Sequence, residues 1–224
     1  MSHKLADNYK KKIIWVNPFL LKLFSAPPNW WWYARIEKRL KNKIAKKMLE
    51  KIAMGKLFYG GDWDLTATLF NESDWIKNIR SLRLNYKNYK NCSWYKLIKS
   101  EIYSNGFFKY KNKIIKNDED LKFFFENYLE EMITSLKMNG FIVSDNHSED
   151  IPKALIGRNG DLIKTGNGCH RLAIIQEFEI KCNYPIQIVG IHKELKINGV
   201  KVGFSQLMNL DKFINNKFSG DINQ

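Results

Sequence analysis

The sequence predicts an α+β fold in which a helical N-terminal and middle region precedes a mixed strand-helix module, and three observations predict it. Apolar residues recur at three- and four-residue steps through residues 30–56 and 118–139, the period of an amphipathic helix. Two short apolar runs, Ala154-Leu155-Ile156-Gly157 and Leu162-Ile163-Lys164, are joined through Arg158-Asn159-Gly160, and Asn-Gly between such runs is the strongest short-range hairpin signal. The run Tyr184-Pro185-Ile186-Gln187-Ile188-Val189 then reads as a further strand.

Three regions follow from this pattern: a basic arm and amphipathic helix over residues 1–60, a helical region over 61–150, and the strand-helix module with a C-terminal helix over 151–224. Residues 61–224 are expected to fold as one globular unit. Residues 1–29 read as an arm, with the cluster Lys10-Lys11-Lys12, an aromatic-aliphatic stretch and the break Ala26-Pro27-Pro28-Asn29. Residues 30–56 read as one helix. Its face of Tyr33, Ile36, Leu40, Ile44, Met48 and Ile52 is expected to pack, while Arg35, Lys38, Arg39, Lys41, Lys43, Lys46, Lys47 and Lys51 cover much of the rest. Gly55 and Gly60-Gly61 punctuate its end. Helical pieces follow near 74–81, 94–104 and 118–139, the last carrying the stripe Leu121, Phe124, Phe125, Tyr128, Leu129, Met132, Ile133 and Leu136 before a stop at Gly140. A loop over 144–150 leads into the hairpin, a compact helix spans 172–178, and 207–214 adds a closing helix.

At 224 residues and 44% hydrophobic content the chain suffices for one packed domain with an appendage, or for two small ones. Its charge is uneven. Residues 1–60 hold 14 Lys/Arg against 3 Asp/Glu, so a net +11 of the chain's +14 sits in the first quarter. Such asymmetry suits an anionic partner, nucleic acid or acidic membrane; a solvated charged face is the plainer alternative. Trp30-Trp31-Trp32 beside the basic helix fits either partner, since aromatics stack on bases and also settle at the headgroup level of lipid. Cys92, Cys169 and Cys182 make an odd count without framework spacing, which argues for a reducing compartment rather than a disulfide-stapled secreted protein. His3, His147, His170 and His192 are scattered, so no structural zinc is expected. The apolar run 13–24 is interrupted by Asn17, Pro18 and Lys22, too broken to span a bilayer or to serve as a secretory signal. The expected location is cytoplasmic, with a membrane-peripheral placement open.

The stretch that carries chemistry is Thr165-Gly166-Asn167-Gly168-Cys169-His170-Arg171, which follows a strand and opens a helix. Two glycines let the backbone approach a ligand, the unpaired N–H groups of a helix start attract phosphate, Arg171 offers a fixed fork for its oxygens, and His170 titrates near neutrality. The plainer reading is a strand-helix connection whose glycines only permit the turn. Cys169, at a helix start beside a cation, has the sequence context of a reactive thiolate, but its first reading is a small packed thiol. Upstream, Asp62 and Asp64 flank Trp63 after Gly60-Gly61. Two carboxylates aimed at one point suit a magnesium ion carried on a nucleotide, or a base for a substrate hydroxyl; an Asp capping the next helix is the alternative. His192, after the final strand, is a further candidate for the same pocket.

These residues resemble the ParB/sulfiredoxin superfamily, whose signature is a Gly-x-His-Arg element after a strand hairpin. Gly168-Cys169-His170-Arg171 stands as in sulfiredoxins, while Gly160-Asp161-Leu162, Leu172-Ala173 and residues 184–189 follow ParB-like domains; the resemblance covers about residues 151–193. Gly60-Gly61-Asp62-Trp63-Asp64 is similar to an element of ParB-like proteins in which a helical region precedes that domain. The chain departs from that pattern after Trp94, where Tyr95-Lys96 stands in place of an expected Thr.

The resemblance implies a nucleotide/phosphate-binding protein, with phosphate held by Gly166, Asn167, Gly168, Cys169, His170 and Arg171 and ATP or ADP with magnesium as cofactor. Since some members are small-molecule kinases, phosphotransferase or phosphohydrolase activity is the first expectation, with His170 and Cys169 as catalytic candidates from the motif; no family motif places the catalytic acid, so Asp62 and Asp64, as catalytic candidates and as metal ligands, rest on the chemistry of paired carboxylates. Two alternatives stay open: a ParB-type nucleic-acid-binding module, with or without nuclease activity, and sulfiredoxin-like repair of a cysteine sulfinate through Cys169.

Overall fold

The computed structural model describes residues 2–28, 30–54, 56–110, 113–143 and 151–219; the expected loop 144–150 and the side chains of Trp30, Trp31 and Trp32 lie outside what is described. In chain order come α1 (Ser2–Lys11), β1 (Ile13–Val16), β2 (Leu23–Phe24), α2 (Trp30–Glu37), α3 (Lys43–Met54), β3 (Phe58–Tyr59) and β4 (Thr68–Leu69). Next are α4 (Asp74–Leu84), α5 (Ser93–Asn105), β5 (Phe108–Tyr110), β6 (Lys113–Ile115), α6 (Asp118–Phe123) and α7 (Glu130–Asn139). A π turn over Phe124–Leu129 joins the last two. The chain goes on through β7 (Lys153–Ile156), β8 (Leu162–Thr165), α8 (Cys169–Glu177), β9 (Tyr184–His192), β10 (Lys196–Ile197), β11 (Val200–Lys201) and α9 (Leu207–Phe218). Helices and a mixed sheet together make the fold α+β, as the sequence predicts.

Two compact units divide the chain: residues 1–70, 143–169 and 183–224 form one, residues 71–142 and 170–182 the other. The sheet belongs to the first. Its order is β1-β9-β7-β8-β2-β4, with β3 also on β9. The expected hairpin is present: β7 and β8 pair antiparallel from Lys153 opposite Thr165 to Ile156 opposite Leu162, and Gly160, at φ +74°, turns the loop between them. β7 runs parallel to β9, whose Tyr184, Ile186, Ile188 and Ile191 are fully buried, as expected of a strand covered on both faces.

Residues 1–29 are not an arm. The β-branched run of β1 pairs antiparallel with residues 184–187, with Ile14 and Val16 buried, and β2 lies parallel to β8 and antiparallel to β4. The break at Asn17-Pro18, which made this stretch look interrupted, is a helical start. Asn17 accepts from the Phe19 N–H at 3.0 Å and Pro18 opens a single 3-10 turn, after which the chain re-enters the sheet.

Residues 30–56 do not form one helix either. N–H groups of Arg39 and Leu40 close tight turns on the carbonyls of Ile36 and Glu37, ending α2. The Asn42 side chain then accepts from the Ile44 N–H at 2.8 Å, starting α3 afresh. An Asn that can satisfy helix-start donors competes with helix continuation, and here the cap wins. The face expected to pack is split by this break. Tyr33 is buried, whereas Ile44, Met48 and Ile52 are 71%, 63% and 66% exposed.

In the second unit the stripe on 118–139 packs as expected: Leu121, Phe124, Phe125, Leu129, Ile133 and Leu136 are buried, and Gly140, at φ +65°, ends α7. Phe124 and Phe125 pack edge-on against Trp94, with Tyr110 and Tyr128 extending the aromatic cluster. The β5–β6 hairpin, which supplies Tyr110, has no strong turn signal in the sequence. Arg80 and Arg83 bind Glu177 of α8 at 2.8 and 3.4 Å.

Candidate functional site

Strand β8 ends in a lysine that the sequence does not advertise. Lys164 is fully buried, and its ammonium donates to three successive carbonyls of the turn that follows: Thr165 at 2.5 Å, Gly166 at 3.2 Å and Asn167 at 2.5 Å. A buried charge requires such partners, because desolvating an ammonium without them is prohibitive. The next carbonyl, of Gly168, accepts from the Tyr184 hydroxyl at 2.9 Å. Four consecutive carbonyls are thus held by side chains. In a planar trans peptide the N–H points opposite to the C=O, so the amides of Gly166, Asn167 and Gly168 face away from the Lys164 ammonium. Gly166 and Asn167 are exposed. Successive amides on the side of a glycine turn away from a buried ammonium are an arrangement that can take an anion.

Glycine is required in this turn. Gly166 has φ +55° and Gly168 φ +93°, and a Cβ on Gly168 would lie 2.7 Å from both Pro152 Cγ and the Tyr184 hydroxyl. Cys169 is buried, and its thiol donates to the Gly166 carbonyl at 3.1 Å. Burial pushes that thiol above its ordinary pKa, against the opposing pull of the Lys164 charge. These are the surroundings of a small packed side chain rather than of an exposed nucleophile.

His170 and Arg171, the next two residues of the motif, belong to the second unit. The imidazole stacks on Trp94 with centroids 5.7 Å apart and meets the edge of Tyr110 at 4.9 Å. The Arg171 guanidinium lies over the Phe141 ring at 4.5 Å. The Tyr110 hydroxyl is buried without a hydrogen-bond partner among the described residues; burial pushes its pKa far up, while the charge of Arg171 pulls the other way.

Asp62 and Asp64 converge as the sequence suggests, but on Arg158 of the β7–β8 loop. Arg158 gives its backbone N–H to Asp64 Oδ2 at 2.8 Å and its Nε to the same carboxylate at 3.0 Å. Nη2 reaches Asp64 at 2.9 Å, Asp62 at 2.7 Å and the Gly61 carbonyl at 3.0 Å. Burial of Asp64 pushes its pKa up, yet the Arg158 hydrogen bonds, with smaller help from the nearby His192 and the Arg158 charge, outweigh that and hold it below the usual carboxylate range. His192 is buried 3.8 Å from Asp64. Its Nδ1 accepts from the Glu194 N–H and its Nε2 lies 2.8 Å from the Gly61 carbonyl. Trp63 packs on the His192 ring. This donor set does not fit a magnesium ion, because a guanidinium already occupies the carboxylates, and no group of three or more metal-ligating side chains occurs among the described residues. Here the pair clasps two loops together, with the Arg158 guanidinium in the place of the expected metal ion or substrate proton.

Lys164, Tyr184 and Arg158 escape a sequence reading that looks for chemistry in motifs. One signal was available for Lys164: a single charge inside a short apolar strand run. Elsewhere in the first unit, β10, β11 and α9 border an open cleft of about 550 Å³, lined by Asn198, Gln206, Asn209 and Lys212 over Phe213. No protein-family profile, curated protein or solved structure matches this chain.

Proposed function

We propose that this chain is a ParB/sulfiredoxin-like protein that binds a nucleotide, ATP or ADP, or a related phosphate at the turn of residues 166–169 and acts in phosphoryl transfer or phosphate-ester hydrolysis. The observation that carries the reading is the clasp of three consecutive carbonyls by the buried Lys164, which turns the amides of Gly166, Asn167 and Gly168 to the other side of the turn. Phosphoryl transfer asks mainly for positioning and for donors aimed at phosphate oxygens, and backbone amides that need no rearrangement supply both. His170 and Arg171 follow directly along the chain, as the motif has them, in the roles of proton carrier and cation. Magnesium would arrive on the nucleotide and supply charge neutralisation there. The packed thiol of Cys169 speaks for phosphate chemistry over sulfinate repair.

The basic first quarter of the chain adds a second element, contact with an anionic surface, whether nucleic acid or acidic membrane. Calorimetry of the full chain with ATP, ADP and inorganic phosphate tests the phosphate reading. Wild type should bind at least one of them, and Arg171→Ala should abolish binding while circular dichroism stays native. Absence of heat for every ligand at millimolar concentration overturns it, whatever the basic region binds.

A further inference from the structure

The exposed face of α3 decides which kind of anionic surface the basic region suits. Ile44, Met48 and Ile52 stand one turn apart, so they form a single aliphatic stripe. Each is more than three-fifths exposed, and Ile36 of α2 adds an aliphatic side chain at 41%. A stripe of this kind on a surface helix would ordinarily be buried in the core. Around it the described charged residues that are exposed are all cations, Arg35, Lys38, Arg39, Lys41, Lys43 and Lys56, while the half-buried Glu37 is paired with Lys46 at 2.7 Å.

We infer that α3 is an interfacial helix that lies on an anionic phospholipid surface, its aliphatic stripe in the acyl-headgroup boundary and its cations on the phosphates. This rests on the anionic-surface part of the proposed function and deepens it. Nucleic acid would satisfy the lysines but offers no medium in which to bury isoleucine and methionine, and the stripe is aliphatic rather than an aromatic stacking platform. A second copy of this chain would bring like charges face to face. A membrane with acidic lipid satisfies both halves of the helix at once, since binding grows with buried apolar area and with attraction to anionic headgroups. The mode is attachment rather than insertion: no helix among the described residues is long and apolar enough to cross a membrane, and the twelve residues of α3 extend about 18 Å.

The test is co-sedimentation of the full chain with phosphatidylcholine vesicles, with and without phosphatidylserine, beside duplex DNA and single-stranded RNA at the same ionic strength. Expected is binding to the serine-containing vesicles that weakens with salt, and more than about tenfold loss of it when Ile44→Gln, Met48→Gln and Ile52→Gln are combined, a change that leaves net charge unaltered. The positions are exposed, so the variant should fold; circular dichroism checks it, and Met48→Gln alone, with a smaller loss, stands in if the triple variant does not. Vesicle binding that is indifferent to these substitutions overturns the inference. Binding to DNA or RNA but not to vesicles overturns it too while leaving an anionic partner standing. Failure to bind any of the three at low salt overturns both.

Discussion

Gly168 is where the turn of residues 166–169 tolerates least change, for two separable reasons: its positive φ, and the 2.7 Å separation that a Cβ would have from Pro152 and Tyr184. Gly106, the left-handed cap of α5, shares the first reason alone, with no atom within 4 Å of its would-be Cβ. Gly168→Ala should therefore cost about 1–3 kcal/mol of overpacking beyond the backbone penalty and abolish phosphate binding. Gly106→Ala should cost about 1–2 kcal/mol and spare binding. Denaturant titration with and without ligand separates them; equal losses from both would remove the packing argument. The cysteines give a second residue-scale prediction. Burial raises the pKa of all three, but only Cys182 is partly exposed. An alkylating agent under native conditions should label Cys182 first, read by peptide mass mapping, and prior labelling of Cys169 would restore the redox reading.

The clasp of Arg158 on Asp64 and Asp62 joins elements 94 and 96 residues apart in the chain. Asp64 ionises more readily in the folded protein than in the unfolded one, so the sign follows directly. Its stabilisation is fully present above the unfolded carboxylate pKa of about 4 and is lost as the pH falls through its lower folded value. Asp64→Asn should lower the denaturation midpoint at neutral pH and flatten the acid limb of the stability profile below the ordinary carboxylate range. An unchanged acid limb would mean that other carboxylates govern it. The two aspartates were legible as a converging pair from Gly-Gly-Asp-Trp-Asp. Their partner was not, because a salt bridge between distant loops leaves no local pattern.

Across the whole chain, the sheet draws its strands from both ends, and residues 13–16 and 23–24 carry part of it. Beyond their strand pairing, the Asn17 N–H donates to the Phe218 carbonyl at 2.7 Å and Tyr9 donates to Asp211 at 2.9 Å. Removing residues 2–28 would uncover one edge of β9 and strip β2 from β8, the strand that carries Lys164. Such a truncation should yield insoluble or unfolded protein rather than a trimmed, folded chain, because opened strand edges pair with other chains. Gel filtration and circular dichroism would show it. A soluble, folded truncation that still binds phosphate would mean that β1 and β2 are dispensable.

What the sequence determined by itself was local: the Asn-Gly hairpin, the stripe on 118–139 with its glycine stop, the closing helix and the glycine turn before α8. Each rests on a period or a turn preference that spans a few residues. The tertiary structure decided everything that depends on partners far along the chain. It made strands of an expected arm, because β1 and β2 find β9 and β8 more than 100 residues away. It also set Arg158 on the two aspartates, buried Lys164 beneath the turn, and left Ile44, Met48 and Ile52 facing outward. Helical periodicity specifies that a face is apolar, but whether that face meets a core or a membrane depends on what surrounds it in space.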